Sequence, residues 1–391
     1  MDRLRGGHRE GGLRTAGLPL LDLAGSPSEV GREHGRRARA LVAENVRTYL
    51  RRFEDWSHAD RGEIRRRAAA YLEVIEPANP AYAGEMRGIA EGSGQDLLDI
   101  VAVNVRYEIL YSEFARKAME KDLGGLPGAA GCTAFALLPS RTASGHLLLG
   151  QNWDWIPEAR GLVVRARRDG HPRSLAFTEA GIAGAKFGVN DAGLGLAING
   201  LTSDADSWSR LRTPFHVRCW EVLAARTVDD AMRAVSGTKR ACSANFMIAK
   251  AGGPEPRVVD IEAAPETERR LSPANGSLVH TNHFMDPALL GIREPLGEDR
   301  PSTFHRFERT QALLQGFEAR GRRVRVDDLK AVLRDHDGSP NSICRHADMA
   351  RPPHERFETV VSAIIDVDDA EMFVAAGPPC TGRYRRIALG A

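Results

Sequence analysis

Cys132 closes a glycine-rich run, "KDLGGLPGAAGC", and opens at once onto the apolar segment "TAFALL". A thiol is nucleophilic only as thiolate, and at a reference pKa of about 8.5 it needs a base close by. An α-amino group, with a reference pKa of about 7.7 to 8.0, would serve if it belonged to the cysteine itself. Cys132 would then have to be an N-terminus, and Gly131 supplies a route to one. The thiol attacks the preceding carbonyl, the peptide becomes a thioester, and water releases Gly131. Glycine has no Cβ to obstruct that approach and tolerates unusual dihedrals. On this reading the linker is an exposed, flexible strip that ends at its own cleavage site.

The elements needed to hold such a nucleophile can be read from the pattern on either side. From Ser26 to about Met119 the sequence is helical in character: Ser26, Pro27 and Glu29 make a capping box at the start, and breaks fall at Pro77, Pro80 and Gly92 to Gly94. After Cys132 the grammar changes to strands, in "CTAFALL", "HLLLGQNWDW", "LVVRARR", "SLAFTEA" and "GAKFGVNDAGLGLAING", which read as an antiparallel meander. Helices return in "FHVRCWEVLAAR" and "TVDDAMRAV", strands in "ANFMIAKAG", "RVVDIEAA" and "SLVHTNHF", helices in "TFHRFERTQALLQGF" and "VDDLKAVLRD", and strands in "FETVVSAIIDVDDAEMFVAAG". Blocks of this kind predict an α+β architecture of sheets stacked between helical layers.

Composition narrows the function classes. With 54 basic and 52 acidic residues and a net charge of +2, no field argues for nucleic acid. The basic opening "MDRLRGGHREGGLR" reads as a disordered tail rather than a phosphate-binding arm. It lacks the apolar stretch of a signal peptide, and no run approaches a membrane span, so a cytoplasmic protein with no membrane partner is expected. The five cysteines (Cys132, Cys219, Cys242, Cys344 and Cys380) include no C-x-x-C pair, which argues against a disulfide framework and against a zinc ribbon. His280 and His283 form an H-x-x-H in "HTNHF" without a carboxylate or thiol at ligand spacing, and no metal and no cofactor are expected. Gly-x-Gly pieces such as "GLGLAING" sit in strand text rather than before a helix, so no phosphate cradle is legible.

"GCTAF", "GQNWDW" and "GVNDAGLGLAING", with "SANFMIA", "HTNHF", "RPSTFHRFER" and "DHDGSPNSICRH" following in order, resemble the N-terminal nucleophile cysteine amidases. The likeness is to the branch containing isopenicillin-N acyltransferase and the carcinine or β-alanyl-amine hydrolases, and more distantly to the choloylglycine hydrolases. That resemblance implies an αββα sandwich preceded by a helical segment. It also implies cleavage between Gly131 and Cys132 into an N-terminal chain, 1–131, and a catalytic chain, 132–391, that stay associated. Cys132 would be the nucleophile and its freed amine the base, with Asp154 holding the amine by a charge-assisted hydrogen bond. Asn245 and Asn199 would supply oxyanion donors, and Arg306 would support the site. Each has an ordinary alternative: a solvated turn for Asp154, an Asn-Gly turn for Asn199, and an exposed helix face shared with Arg309 and Arg320 for Arg306. An amide at Asn245 inside an apolar strand would be buried without a partner unless the site used it. The choloylglycine branch carries Arg where this chain has Gln151, which argues against bile-salt and penicillin-V hydrolysis. His283 and Cys344 lie in motif-like text with no chemical task, and structural roles are expected for both.

The resemblance therefore implies a self-processing hydrolase of a small N-acyl or β-alanyl amine, a small-molecule amide partner. An acyltransferase drawing on acyl-CoA or a peptide-like donor shares the same acyl-enzyme. A binding protein that kept the fold and lost catalysis is a separate class, disfavoured by the joint presence of Cys132, Asp154 and Asn245. A papain-like protease is disfavoured by the absence of its cysteine motif around Cys132.

Overall fold

The computed structural model describes residues 17–57, 59–119, 131–252, 257–295 and 300–390. The opening tail and the linker at 120–130 lie outside them. The N-terminal segment begins with a strand that the periodicity did not suggest, β1 (Leu20–Gly25), and continues through α1 (Pro27–Arg37), α2 (Arg39–Ser57), α3 (Arg61–Ala78), α4 (Pro80–Ser93), α5 (Leu97–Asn104) and α6 (Arg106–Met119). The expected capping box starts α1: Ser26 Oγ accepts from the Glu29 N–H at 3.4 Å and Glu29 accepts from the Ser26 N–H at 2.8 Å. Then follow β2 (Thr133–Leu137), β3 (Leu148–Trp155), β4 (Gly161–Arg168), β5 (Ser174–Glu179), β6 (Phe187–Asn190) and β7 (Leu194–Gly200). The remainder is α7 (Phe215–Ala224), α8 (Val228–Ser236), β8 (Ala244–Lys250), β9 (Arg257–Ala263), β10 (Glu268–Leu271), β11 (Ser277–His280), α9 (Arg300–Ala319), α10 (Val326–Leu333), β12 (Glu358–Asp366), β13 (Glu371–Ala376) and β14 (Arg385–Ala388).

The strands form two sheets, ordered β1-β4-β5-β6-β7-β8-β9-β10 and β11-β2-β3-β12-β13-β14. The segment read as one meander thus divides: β2 and β3 belong to one sheet and β4 to β7 to the other. The sheets pack face to face, with β2 and β3 against β7; α1, α7 and α8 cover the eight-stranded sheet, while α9 and α10 cover the six-stranded one. This is the αββα sandwich.

Strand sequence follows from that layering. Along β2, Ala134 and Ala136 join the core between the sheets, whereas Phe135 and Leu137 join the core under α9 and α10 with Leu314, Leu329 and Val332. Both faces are covered, so the strand reads as a continuous apolar run with small side chains toward the opposing sheet and large ones toward helices. One core spans the described residues on both sides of Cys132. β1 pairs in parallel with β4, and Val42, Tyr49 and Leu110 share one apolar cluster with Leu149, Phe177 and Val361.

α1 and α4 touch backbone to backbone through glycines. A Cβ at Gly88 would lie 2.2 Å from the Ser28 carbonyl oxygen and 2.7 Å from the Arg32 nitrogen. Alanine favours a helix interior over glycine by about 1 kcal/mol, but neither backbone atom can yield without separating the helices, and overpacking costs about 1–3 kcal/mol. Gly88→Ala is therefore expected to lower the midpoint of urea unfolding; a higher midpoint would show that α1 is free to shift.

Candidate active site

The pairing of β2 with β3 sets the geometry. Thr133 lies opposite Asn152, so continuing the register puts Cys132 opposite Trp153 and Gly131 opposite Asp154. By alternation Cys132 shares the face of Ala134 and Ala136, looking across to the other sheet, while Gly131, Thr133, Asn152 and Asp154 face the helical layer. The contacts agree. Cys132 belongs to the cluster between the sheets. Thr133 Oγ1 accepts from Arg306 of α9 at 3.1 Å, and Asn152 Nδ2 donates to the carbonyls of Leu333 and Ile343 at 2.9 and 2.7 Å.

Around this strand end the structure gathers all five expected site residues. The Cys132 carbonyl accepts from Arg306 Nη1 at 2.6 Å and from Asn199 Nδ2, at the end of β7, at 3.3 Å. Asn199 Nδ2 also reaches the His280 carbonyl at 3.3 Å. Asn245 of β8 stands opposite Asn199 in register, and its Nδ2 donates to Asn199 Oδ1 at 3.3 Å and to Asp260 Oδ1 at 2.6 Å. Neither asparagine is a surface turn, since both are fully buried. Arg306 is 1% exposed, which excludes the solvated-face alternative; Arg309 takes a different partner, Asp335, at 2.7 Å.

Asp154 is also fully buried rather than a turn carboxylate. Its Oδ1 accepts from Thr359 Oγ1 at 2.7 Å, and its Oδ2 is buried with no hydrogen-bond partner, as is Asn245 Oδ1. Burial raises the Asp154 pKa to about 7, against the pull of Arg306 and Arg345. Burial, and next the Asp154 charge, pushes the Cys132 thiol up to about 11, so in the uncut chain it is protonated at neutral pH. A side chain at position 131 would collide with two guanidiniums, its Cβ lying 2.5 Å from Arg345 Nη1 and 3.0 Å from Arg306 Nη2. Any larger residue at 131 would displace the two guanidiniums from this strand end.

Several residues in and around the site carried no sequence signal. Thr359 and Arg345 sit far along the chain; the Arg345 N–H donates to Thr359 Oγ1 at 3.0 Å and so orients the hydroxyl that binds Asp154. Beside Trp153 and Trp155 lies a buried charge cluster in which Glu179 accepts from Arg106, Lys186 and Tyr49. One carboxylate serves two cations. Burial works against the Glu179 charge, but Arg106 and Lys186 outweigh it and hold its pKa at about 2, whereas burial and Arg106 lower that of Lys186 to about 7. Lys186 Nζ lies 3.8 Å over the Trp153 ring.

Other singled-out residues have structural positions. Gln151 bridges the sheets, accepting from the Ile198 N–H at 2.8 Å and donating to the Ile198 carbonyl at 3.0 Å. His283 stacks on Phe304 at 4.0 Å and bonds Thr303 Oγ1 at 3.0 Å. His280 does have a carboxylate partner, Glu262 of β9 at 3.0 Å, supplied across the fold rather than at sequence spacing.

A family model described as acyl-coenzyme A:6-aminopenicillanic acid acyl-transferase matches residues 140–379. The chain belongs to that family. It is therefore an enzyme of a family described by an acyltransferase. It is 27% identical over 362 residues to the acyl-coenzyme A:6-aminopenicillanic-acid-acyltransferase 40 kDa form of Emericella nidulans, covering 91% of each chain. Among solved structures it is similar to a Caenorhabditis elegans ortholog of N-acylethanolamine-hydrolyzing acid amidase, with 17% identity, 60% of this chain, 93% of that one and a TM-score of 0.43. It is likewise similar to a conjugated bile acid hydrolase mutant from Clostridium perfringens, with 13% identity, 66% and 92% coverage and a TM-score of 0.45. Membership rests on the family match, not on these distant structural likenesses. Among the described residues no helix is long and apolar enough to cross a membrane.

The raised Asp154 pKa has a stability consequence with a definite sign. Its folded value of about 7 lies above the ordinary value of 3.8, so between the two the folded chain holds a proton that the unfolded chain has lost. The contribution of Asp154 to stability therefore falls as pH rises from about 4 to about 7 and stays lost above that. In a Cys132→Ala background, Asp154→Asn is expected to improve relative to its parent between pH 5 and pH 8 by urea unfolding. A constant difference across that range would show that the carboxyl titrates normally.

Proposed function

We propose that this chain is a self-processing cysteine amidase that cuts its own Gly131–Cys132 bond and then hydrolyses a small N-acyl or β-alanyl amine through a Cys132 acyl-enzyme. The observation that carries the reading is the unmatched Asp154 Oδ2, buried across the strand pair from Gly131. A buried carboxylate oxygen without a donor is costly, and an ammonium formed at Cys132 as Gly131 departs would supply that donor.

The steps balance without a cofactor. The thiol gives up its proton, and sulfur attacks the Gly131 carbonyl carbon. The C–N bond breaks, the Cys132 nitrogen takes the proton, and water hydrolyses the thioester to leave Gly131 as a carboxylate. In turnover the free amine takes the thiol proton, sulfur attacks the substrate amide, and the amine leaving group departs protonated. Water then releases the acid. Asn245 Nδ2 is the oxyanion donor in this scheme, and Asn199, whose amide donates to the Cys132 and His280 carbonyls, holds the strand end beside it. The 3.3 Å bond between them is much longer than the 2.6 Å bond from Asn245 to Asp260, and it is the one an acyl oxygen would replace. Arg306 fixes the Cys132 carbonyl, keeping the nucleophile in place once its N-terminal tether is gone.

A second reading has a specific observation behind it. The family description and the Emericella nidulans relative both name an acyltransferase, and the same acyl-enzyme can be resolved by a bound amine instead of water. Competition between water and added amines, and acylation from acyl-CoA, separates the two: transfer from acyl-CoA without amide hydrolysis across a panel of N-acyl and β-alanyl amines would replace the hydrolase by the transferase.

Intact-mass spectrometry of purified protein is expected to give chains 1–131 and 132–391 that co-elute on sizing, whereas Cys132→Ala stays full length. An active, uncut chain would falsify self-processing. Asn245→Ala is expected to lower turnover by about 10²- to 10³-fold with its thermal transition retained; unchanged turnover removes Asn245 from the oxyanion site.

A further inference from the structure

Two histidines and two cysteines from separate parts of the chain converge on one point. They are His336, just past the end of α10, Cys344 and His346 in the loop before β12, and Cys380 in the turn after β13; one ligand atom from each lies within 4.8 Å of all the others. His346 Nε2 is 3.2 Å from His336 Nε2, 3.7 Å from Cys344 Sγ and 3.3 Å from Cys380 Sγ. Zinc bonds of about 2.0–2.1 Å to nitrogen and about 2.3 Å to sulfur make tetrahedral edges of about 3.3 Å between nitrogens and about 3.6 Å between nitrogen and sulfur. The three distances from His346 match edges of that tetrahedron.

We propose that His336, Cys344, His346 and Cys380 bind one structural Zn²⁺ ion. Two thiolates and two neutral imidazoles are a donor set that selects zinc over hard cations. Each cysteine gives one proton to solvent on binding, so two thiolates neutralise the dication. Four protein ligands leave no open position, which makes the site structural rather than catalytic.

The backbone around the four ligands is fixed independently of any ion. The Cys344 N–H donates to the Asp335 carbonyl at 2.9 Å, the His346 N–H to the Pro340 carbonyl at 3.0 Å, and Arg334 Nε to the Pro379 carbonyl at 2.8 Å, tying the end of α10 to the turn that carries Cys380. Such preorganisation lowers the ordering cost of binding. The ion would fasten three segments together on either side of Arg345, the residue that seats Thr359 and lies against Gly131. The site is separate from the proposed chemistry at Cys132 and stands whether or not that chemistry is correct.

The test uses the full chain, expressed without a histidine tag in zinc-supplemented medium and purified without chelator. Elemental analysis is expected to find one zinc per chain, falling to about a tenth in Cys380→Ser and in His336→Asn; His336 is exposed, so its replacement spares the core if the cysteine variant fails to fold. Cobalt added after chelation should give thiolate charge-transfer and tetrahedral d–d absorption in the parent chain and neither in the variants. Chelation should lower the melting temperature, and zinc alone should restore it. A metal-free chain without the cobalt spectrum overturns the proposal. So does zinc that survives both substitutions, or a native Cys344–Cys380 disulfide detected by mass.

Discussion

The register of β2 on β3 is the constraint from which the site follows. With Thr133 opposite Asn152, the Cys132 side chain enters the space between the sheets, where Asn199 and Asn245 stand, while Gly131 and Asp154 share the opposite face with Arg306 and Arg345. A slip of one residue would exchange the faces and put Phe135 where Ala134 packs, so the buried faces enforce the pairing strongly. The proposed nucleophile, Cys132, and the carboxylate proposed to hold its amine therefore approach the same peptide from two sides of one sheet.

Polar groups in this interior are held by long-range partners. Asp154 is bound by Thr359 from β12, Asn152 by the carbonyls of Leu333 and Ile343, and Asn245 by Asp260 from β9. Near Cys132 each of these side chains is only half satisfied: Asp154 Oδ2 and Asn245 Oδ1 are buried without a hydrogen-bond partner, as are Asn152 Oδ1 and Asp260 Oδ2. Unmet hydrogen-bonding capacity at a buried site is where a ligand or a reacting group is accommodated at least cost. It is also what distinguishes these residues from Asn190, whose amide is spent on the Leu223 and Ala225 carbonyls and whose oxygen accepts from Ala192 and Leu194.

The N-terminal segment is tied to the catalytic layers by more than apolar packing. Arg106 of α6 and Tyr49 of α2 reach Glu179 of β5, Glu85 of α4 receives Arg168 of β4 at 2.8 Å, and Asn45 of α2 donates to the Ala180 carbonyl at 2.8 Å. Breaking one side of a buried ion pair typically costs about 3–5 kcal/mol. With β1 paired to β4, the two halves share a sheet as well as a core. Cutting the linker would not by itself separate them.

Sequence alone determined what depends on neighbours along the chain. The capping box at Ser26, most helices and strands, and the glycine before Cys132 were legible because caps, periodicity and turn residues are local signals. β1, β10 and β14 were not, since their pairing partners rather than their own pattern make them strands. Cys132, Asp154, Asn199, Asn245 and Arg306 could be named through motif resemblance, but whether Arg306 faced solvent or the site was open until burial decided it. Thr359, Arg345 and the Glu179 cluster were invisible, and the cysteine spacing that argued against zinc could not register ligands brought together from α10, the β12 approach and the turn after β13. Those residues owe their roles to packing of one layer on another, and no spacing along the chain encodes a contact made across two sheets.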